Sequence, residues 1–268
     1  MDPKIRRLVK ITLLCAAVFI IWSCIGLIRN DFSIEMLWGT GIGFLSIFVL
    51  ALAFNMRRFG YWRGLGVLAV VLAIVYGALI LNAAKGWPFG FLAYHDILGW
   101  KTLGVSWPLP ILWSAIIGIS LIINQPKTES HDPKKIFSWA FDTGICSLAA
   151  ALIIEPLARN AGAMSWSSSG SILGVPGMDF LGWFLVGFVS NFSAILIMRI
   201  WREPGIETES DILFFLSAFC LPIFLLAWKL NLALIQIFAA ILFLATLGIA
   251  ILKILKKRQE TSNKIQEY

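Results

Sequence analysis

Four polar side chains with the means to do chemistry gather around two segments of an otherwise apolar chain. They are His95 and Asp96 in Tyr94-His95-Asp96, Glu155 just before Pro156, and Asp179 at the head of the apolar run that follows. Ionisable groups are expensive at membrane depth, so each one invites a functional question. They come with Tyr94, Trp100, Trp107, Trp166 and Trp183. Burial favours the protonated form of a carboxyl, and aromatic faces stabilise a cation. An acid set among aromatics is therefore suited to protonate an apolar double bond and shelter the carbocation. The same residues have plainer uses. Trp and Tyr form the belt at a membrane interface, and Asp179 reads equally well as a cap or a charge complementing a helix N-terminus.

Asp142 is a further candidate. It lies thirteen residues before Glu155 in the same apolar run, about 20 Å along a helix, so the two cannot form one acid pair. A hydrogen bond to a neighbouring helix accounts for it at least as well as catalysis. Pro156 is expected to stop the helix that carries Glu155.

Other chemistries find little support. The chain has only two histidines, His95 and His131, which excludes a histidine-rich di-iron site, and its four cysteines are scattered singly through apolar stretches. Phosphate loops, dinucleotide fingerprints, HExxH and GxSxG are missing. So are the paired Asp-rich motifs that hold magnesium diphosphate. The serines of 165–170 have no base at a defined spacing and read as loop residues.

The elements that position these residues are membrane spans. Hydrophobic residues make up 59% of 268, against about 45–50% in soluble domains, and mean hydropathy is +0.84. Apolar runs long enough to cross a bilayer as helices occur near 8–28, 36–55, 64–83, 107–124, 136–156, 179–200, 211–229 and 231–254. The expected fold is an all-α polytopic bundle of about eight spans, a single membrane domain over 1–268, with a solvated polar tail at 256–268. The first run is read as an uncleaved anchor.

Lysine and arginine set the orientation. Alternate ends hold Lys4, Arg6, Arg7 and Lys10; Arg57, Arg58 and Arg63; Lys127, Lys134 and Lys135; Arg199 and Arg202; and the cluster from Lys253 to Lys264. The opposite ends hold only Arg29, Lys85, Lys101, Arg159 and Lys229. Both termini are therefore expected in the cytoplasm, with the protein integral to the inner cell membrane. The net charge of +7 is a topology signal rather than a nucleic-acid footprint.

The outer loops, 84–106 and 157–178, are long and rich in Gly, Trp, Pro and Ser, and read as re-entrant or interfacial. They also resemble one another. Leu103-Gly104-Val105 precedes Trp113 at the spacing at which Leu173-Gly174-Val175 precedes Trp183, with prolines between. This points to a parallel repeat of helical hairpins, 64–124 and 136–200.

A family resemblance rests on these residues. Glu155-Pro156-Leu157, Trp166, Gly170, Gly174-Val175-Pro176 and Asp179-Phe180-Leu181-Gly182-Trp183-Phe184 resemble the membrane carotenoid 1,2-hydratases, of the bisanhydrobacterioruberin hydratase and γ-carotene hydratase type. Tyr94-His95-Asp96, Gly99, Leu103-Gly104-Val105 and 108–113 are similar to the preceding segment, so the likeness covers about residues 90–190. In that pattern the acid before proline is usually Asp, often with a second Asp where this chain has Ala151, and position 179 is Asn. The resemblance implies cofactor-free addition of water to a terminal double bond of an acyclic polyene. Glu155 or Asp96 would be the acid and Asp179 would orient water. Tyr94, His95, Trp100, Trp166 and Trp183 would line the substrate. Expected partners are the polyene, water, membrane lipid and other carotenoid enzymes, with no nucleic acid. Three rivals stand beside this reading: a lycopene-cyclase-like isomerase, a non-enzymatic carotenoid- or lipid-binding scaffold, and a transporter, which the lack of a broken helix lined with mid-membrane charge disfavours.

Overall fold

A computed structural model describes residues 3–29, 34–126, 132–168, 170, 172–200 and 210–266; His131 and Ser169 lie outside them. Every apolar run expected to cross the membrane is a helix: α1 (Pro3–Arg29), α2 (Ile34–Phe59), α3 (Tyr61–Lys85), α4 (Pro108–Ile123), α5 (Pro133–Asn160), α6 (Gly177–Met198), α7 (Ser210–Lys229) and α8 (Ala233–Gln266). Among the described residues, six helices are long and apolar enough to cross a membrane, and α4, at 16 residues, is a shorter apolar one. The chain is an all-α polytopic membrane bundle. The polar tail joins α8, which runs to Gln266. Its Lys, Gln and Glu residues are good helix formers.

α5 and α6 carry the centre of the bundle. Trp139, Thr143, Ser147, Ala151 and Glu155 recur every four residues on α5, and all are buried. Opposite them α6 presents Asp179, Trp183, Val186, Gly187, Ser190 and Asn191. A side chain at Gly187 would run into Ser147, so the glycine lets the two backbones approach. Hydrogen bonds across helices fix the register. The Asn191 amide donates to the Trp139 carbonyl at 3.1 Å, the Trp139 indole to the Leu121 carbonyl of α4 at 2.8 Å, and the Asn55 amide of α2 to the Gly118 carbonyl of α4 at 3.2 Å.

Pro156 does not stop α5, as the sequence suggested. The helix runs on for another turn to Asn160, whose side-chain amide donates to the Pro156 carbonyl at 2.8 Å. The missing Pro156 N–H removes only one intrahelical bond, the one to the Leu152 carbonyl, and the Asn160 amide serves the Pro156 carbonyl near the helix end.

The two long loops meet at one end of the bundle. β1 (Leu92–Tyr94) pairs antiparallel with β4 (Met164–Trp166), Tyr94 opposite Met164, and the ladder continues from the His95 N–H to the Ala163 carbonyl at 3.0 Å. A one-turn 3-10 helix, Asp96–Leu98, follows β1. Then β2 (Lys101–Thr102) and β3 (Val105–Ser106) form a tight hairpin on Leu103-Gly104.

Candidate functional site

Glu155 ends the buried stripe of α5, in the last turns before the loop end. That register, four residues on from Ala151, turns its side chain inward, and Glu155 is 1% exposed. Ala151 brings no carboxylate to the site, but Asp179 does, from the first turn of α6, where it is fully buried. The two carboxyls lie close enough for the charge of Glu155 to bear on Asp179. Asp179 makes no capping hydrogen bond; Pro176 occupies the cap position. Its place in the first turn is still electrostatically favourable.

Aromatic groups enclose this pair. The indoles of Trp113 and Trp183 stand beside Glu155, and that of Trp166 beside Asp179. Trp113 and Trp183 stack with centroids 3.6 Å apart and planes 14° from parallel, and Phe89 packs on Trp183 at 4.5 Å. Phe89 is held in turn by its N–H, which donates to the Asn82 side-chain oxygen of α3 at 3.0 Å. Gly182 makes room for it, since a side chain there would meet Phe89. Tyr94 reaches in from β1. Burial pushes its phenol above the usual tyrosine range, and the charges of Glu155 and Asp179 add to the shift.

The polar atoms of this cluster are poorly served by the protein. The Tyr94 hydroxyl, the indole nitrogens of Trp113, Trp166 and Trp183, one Glu155 oxygen and both Asp179 oxygens are buried without a well-formed hydrogen bond among the described residues. Unmet buried groups cost about 1–3 kcal/mol each, so their concentration at one point calls for a functional reason. Donors and acceptors face each other around a buried acid pair under an aromatic roof, an arrangement able to hold and move a proton beside an apolar guest.

The structure thus brings Glu155, Asp179, Tyr94, Trp166 and Trp183 together. It leaves four candidates outside. Asp96 is fully exposed and paired with Lys101 at 3.1 Å. His95 is exposed, its Nε2 3.0 Å from the Ser165 hydroxyl. Trp100 is exposed at the loop end, and Asp142 on the surface of α5, one position off the buried stripe. Trp113 and Phe89 were not expected at the site. For Trp113 the signal was present, since it follows Leu103-Gly104-Val105 at the spacing at which Trp183 follows Leu173-Gly174-Val175.

Residues 38–251 match the family described as carotenoid biosynthesis protein. The chain belongs to that family. The match covers most of the bundle and includes every residue of the acid and aromatic cluster. Comparison with curated proteins and with solved structures gave no match. Membership of the family assigns the chain a role in carotenoid biosynthesis, and the apolar helices suit a lipophilic substrate.

Proposed function

We propose that this protein adds water to a terminal double bond of an acyclic carotenoid end group by acid catalysis through a carbocation. One observation carries the reading: Glu155 and Asp179 are buried side by side against three indoles and a phenol, in a member of a carotenoid biosynthesis family. The Glu155 carboxyl gives its proton to C2 of the end group, and the electron pair of the C1=C2 bond becomes the new C–H bond. The tertiary cation left at C1 faces the indoles of Trp113 and Trp183. A water oxygen then bonds to C1, and the Asp179 carboxylate takes the proton that water releases. Passing that proton to Glu155 restores the starting state. The net change is one water gained and no electrons transferred. The lysine and arginine distribution supports a site at the outer side of the membrane, with both termini cytoplasmic.

Mass-resolved pigment analysis of a lycopene-producing host, with and without this chain, tests the proposal. A product heavier by one water that disappears with Glu155→Gln supports it. An isobaric product would show that a neighbouring double bond, and not water, captures the cation. An unchanged pigment profile across acyclic carotenoids of differing length would overturn the enzymatic reading.

A further inference from the structure

Beyond α4 and α5 from the acid cluster lies a partly open cavity of about 250 Å³, flanked by α1 and α7 and bordered by Ile97 and Leu98. Three features set it apart from a packing defect. Apart from the Trp22 indole N–H, Ser23 is the one polar side chain among the described residues of its lining, and Phe19, Trp22, Phe44 and Phe219 give it aromatic walls. Its space has a cause in the sequence: α5 and the segment after it present Ala158, Ala161 and Ala163, and α7 carries Pro222 within the helix at the cavity wall. It also shares a partition with the acid cluster. Ile154 adjoins Glu155 in the chain, Leu112 adjoins Trp113, and Met164 is the strand partner of Tyr94.

Small-molecule pockets usually enclose about 300–1,000 Å³, so this one admits only part of a long chain, and the remainder must lie in the bilayer. On the α1 side the way to lipid is short: Trp22, which lines the cavity, is 58% exposed. Flat aromatic walls suit a rigid conjugated chain, which offers them its own π face.

We infer that this cavity is the receptor for one end of a long linear isoprenoid polyene, which enters sideways from the membrane between α1 and the α4–α5 wall. Leu112, Ile154 and Met164 line the cavity on the side of Glu155, so proton transfer to the seated end requires these side chains to move aside. The assignment rests on the proposed function for what happens at Glu155. Binding itself does not depend on turnover.

The test uses the full-length protein in lipid nanodiscs, with lycopene as the probe and the shift of its absorption bands as the readout. Wild type and Glu155→Gln should bind alike. Ala158→Phe, which fills the cavity from α5, should weaken binding about tenfold or more. Ser23→Phe, which narrows it from α1, should do the same, and is the variant to read if Ala158→Phe does not fold. Phe141→Ala, on an exposed face of α5, should bind as wild type. Retained lycopene affinity in a folded cavity-filling variant would overturn the inference. So would a phospholipid that co-purifies with wild type, is lost from Ala158→Phe and is not displaced by lycopene, since that would make the cavity an acyl-chain site. Binding lost on filling the cavity, with no hydrated product from wild type, would keep the cavity assignment and sink the catalytic one.

Discussion

Trp113 and Trp183 stack face to face at 3.6 Å, and each lies ten residues after a Leu-Gly turn of the same shape. Leu103 and Gly104 have φ of 55° and 79°, and Leu173 and Gly174 have 51° and 82°. Each turn closes a two-residue hairpin, with Thr102 opposite Val105 and Ile172 opposite Val175. Both valines are fully buried, and both segments lead into the helix that delivers the tryptophan. Antiparallel strands are related by a two-fold axis, and β1 and β4 pair with Tyr94 opposite its counterpart Met164. A parallel repeat of helical hairpins would produce these relations. The two segments are not chemically equal: at the same offset, Glu155 and Asp179 match Lys85 and Leu109.

The stack should matter to stability as well as to function. Trp183→Ala is expected to cost about 3–5 kcal/mol, as large aromatic truncations in a core do. Trp183→Phe should keep much of that stability and still lower turnover, because it removes the indole beside Glu155. Thermal unfolding in detergent, read together with product formation, separates the two effects.

Glu155→Gln keeps the shape of the side chain and removes the transferable proton. Turnover should fall about 10²–10⁴-fold, the usual worth of a positioned acid, with the helical content unchanged. Asp179→Asn should also lose activity. Asp96→Asn and Asp142→Asn should stay within about twofold of wild type, since surface substitutions seldom reach further. A large loss in Asp96→Asn would move the acid out of the buried cluster. Pigment conversion by each variant at matched expression decides among them.

The helices were legible because a bilayer demands long uninterrupted apolar runs, and each such run is found as a helix. The acids were legible as costly residues, but not which of them meet. Asp142 and Glu155 look alike in sequence, yet one sits a single position off the stripe through Trp139, Thr143, Ser147 and Ala151, and that rotation of about 100° puts it at the surface. Asp96 lies two residues from Tyr94, and the turn after β1 carries it out to Lys101 while Tyr94 points in. Periodicity within a helix could have settled the first case. The second depends on the pairing of β1 with β4, a contact between distant segments that no local pattern encodes.

Leu103 holds a left-handed backbone conformation with its side chain 69% exposed, so it has strain without compensating burial. That conformation costs a leucine about 1–2 kcal/mol, and asparagine adopts it more readily. Leu103→Asn should raise stability by roughly 1 kcal/mol. The matching change at Leu173 should gain less, because Leu173 packs against the cluster of Leu157, Ala227 and Ile235. Paired melting curves of the two variants test the difference.

Tyr94 gives the site a titration signature. Its phenol is raised above the ordinary value of 10 by burial and by the nearby carboxylates, so the neutral form is favoured in the fold. A group whose folded pKa is raised contributes stability that is fully present below the unfolded value and is lost as pH climbs through the folded one. Phenolate absorbance in an alkaline titration should therefore show one tyrosine ionising later than the rest, only as the protein unfolds, and Tyr94→Phe should remove that late step. Replacing Glu155 by Gln should bring the step to lower pH by taking away one of the charges that oppose ionisation. If the late step were insensitive to Glu155→Gln, burial alone would hold the phenol neutral, and Tyr94 would have no electrostatic link to the acid pair.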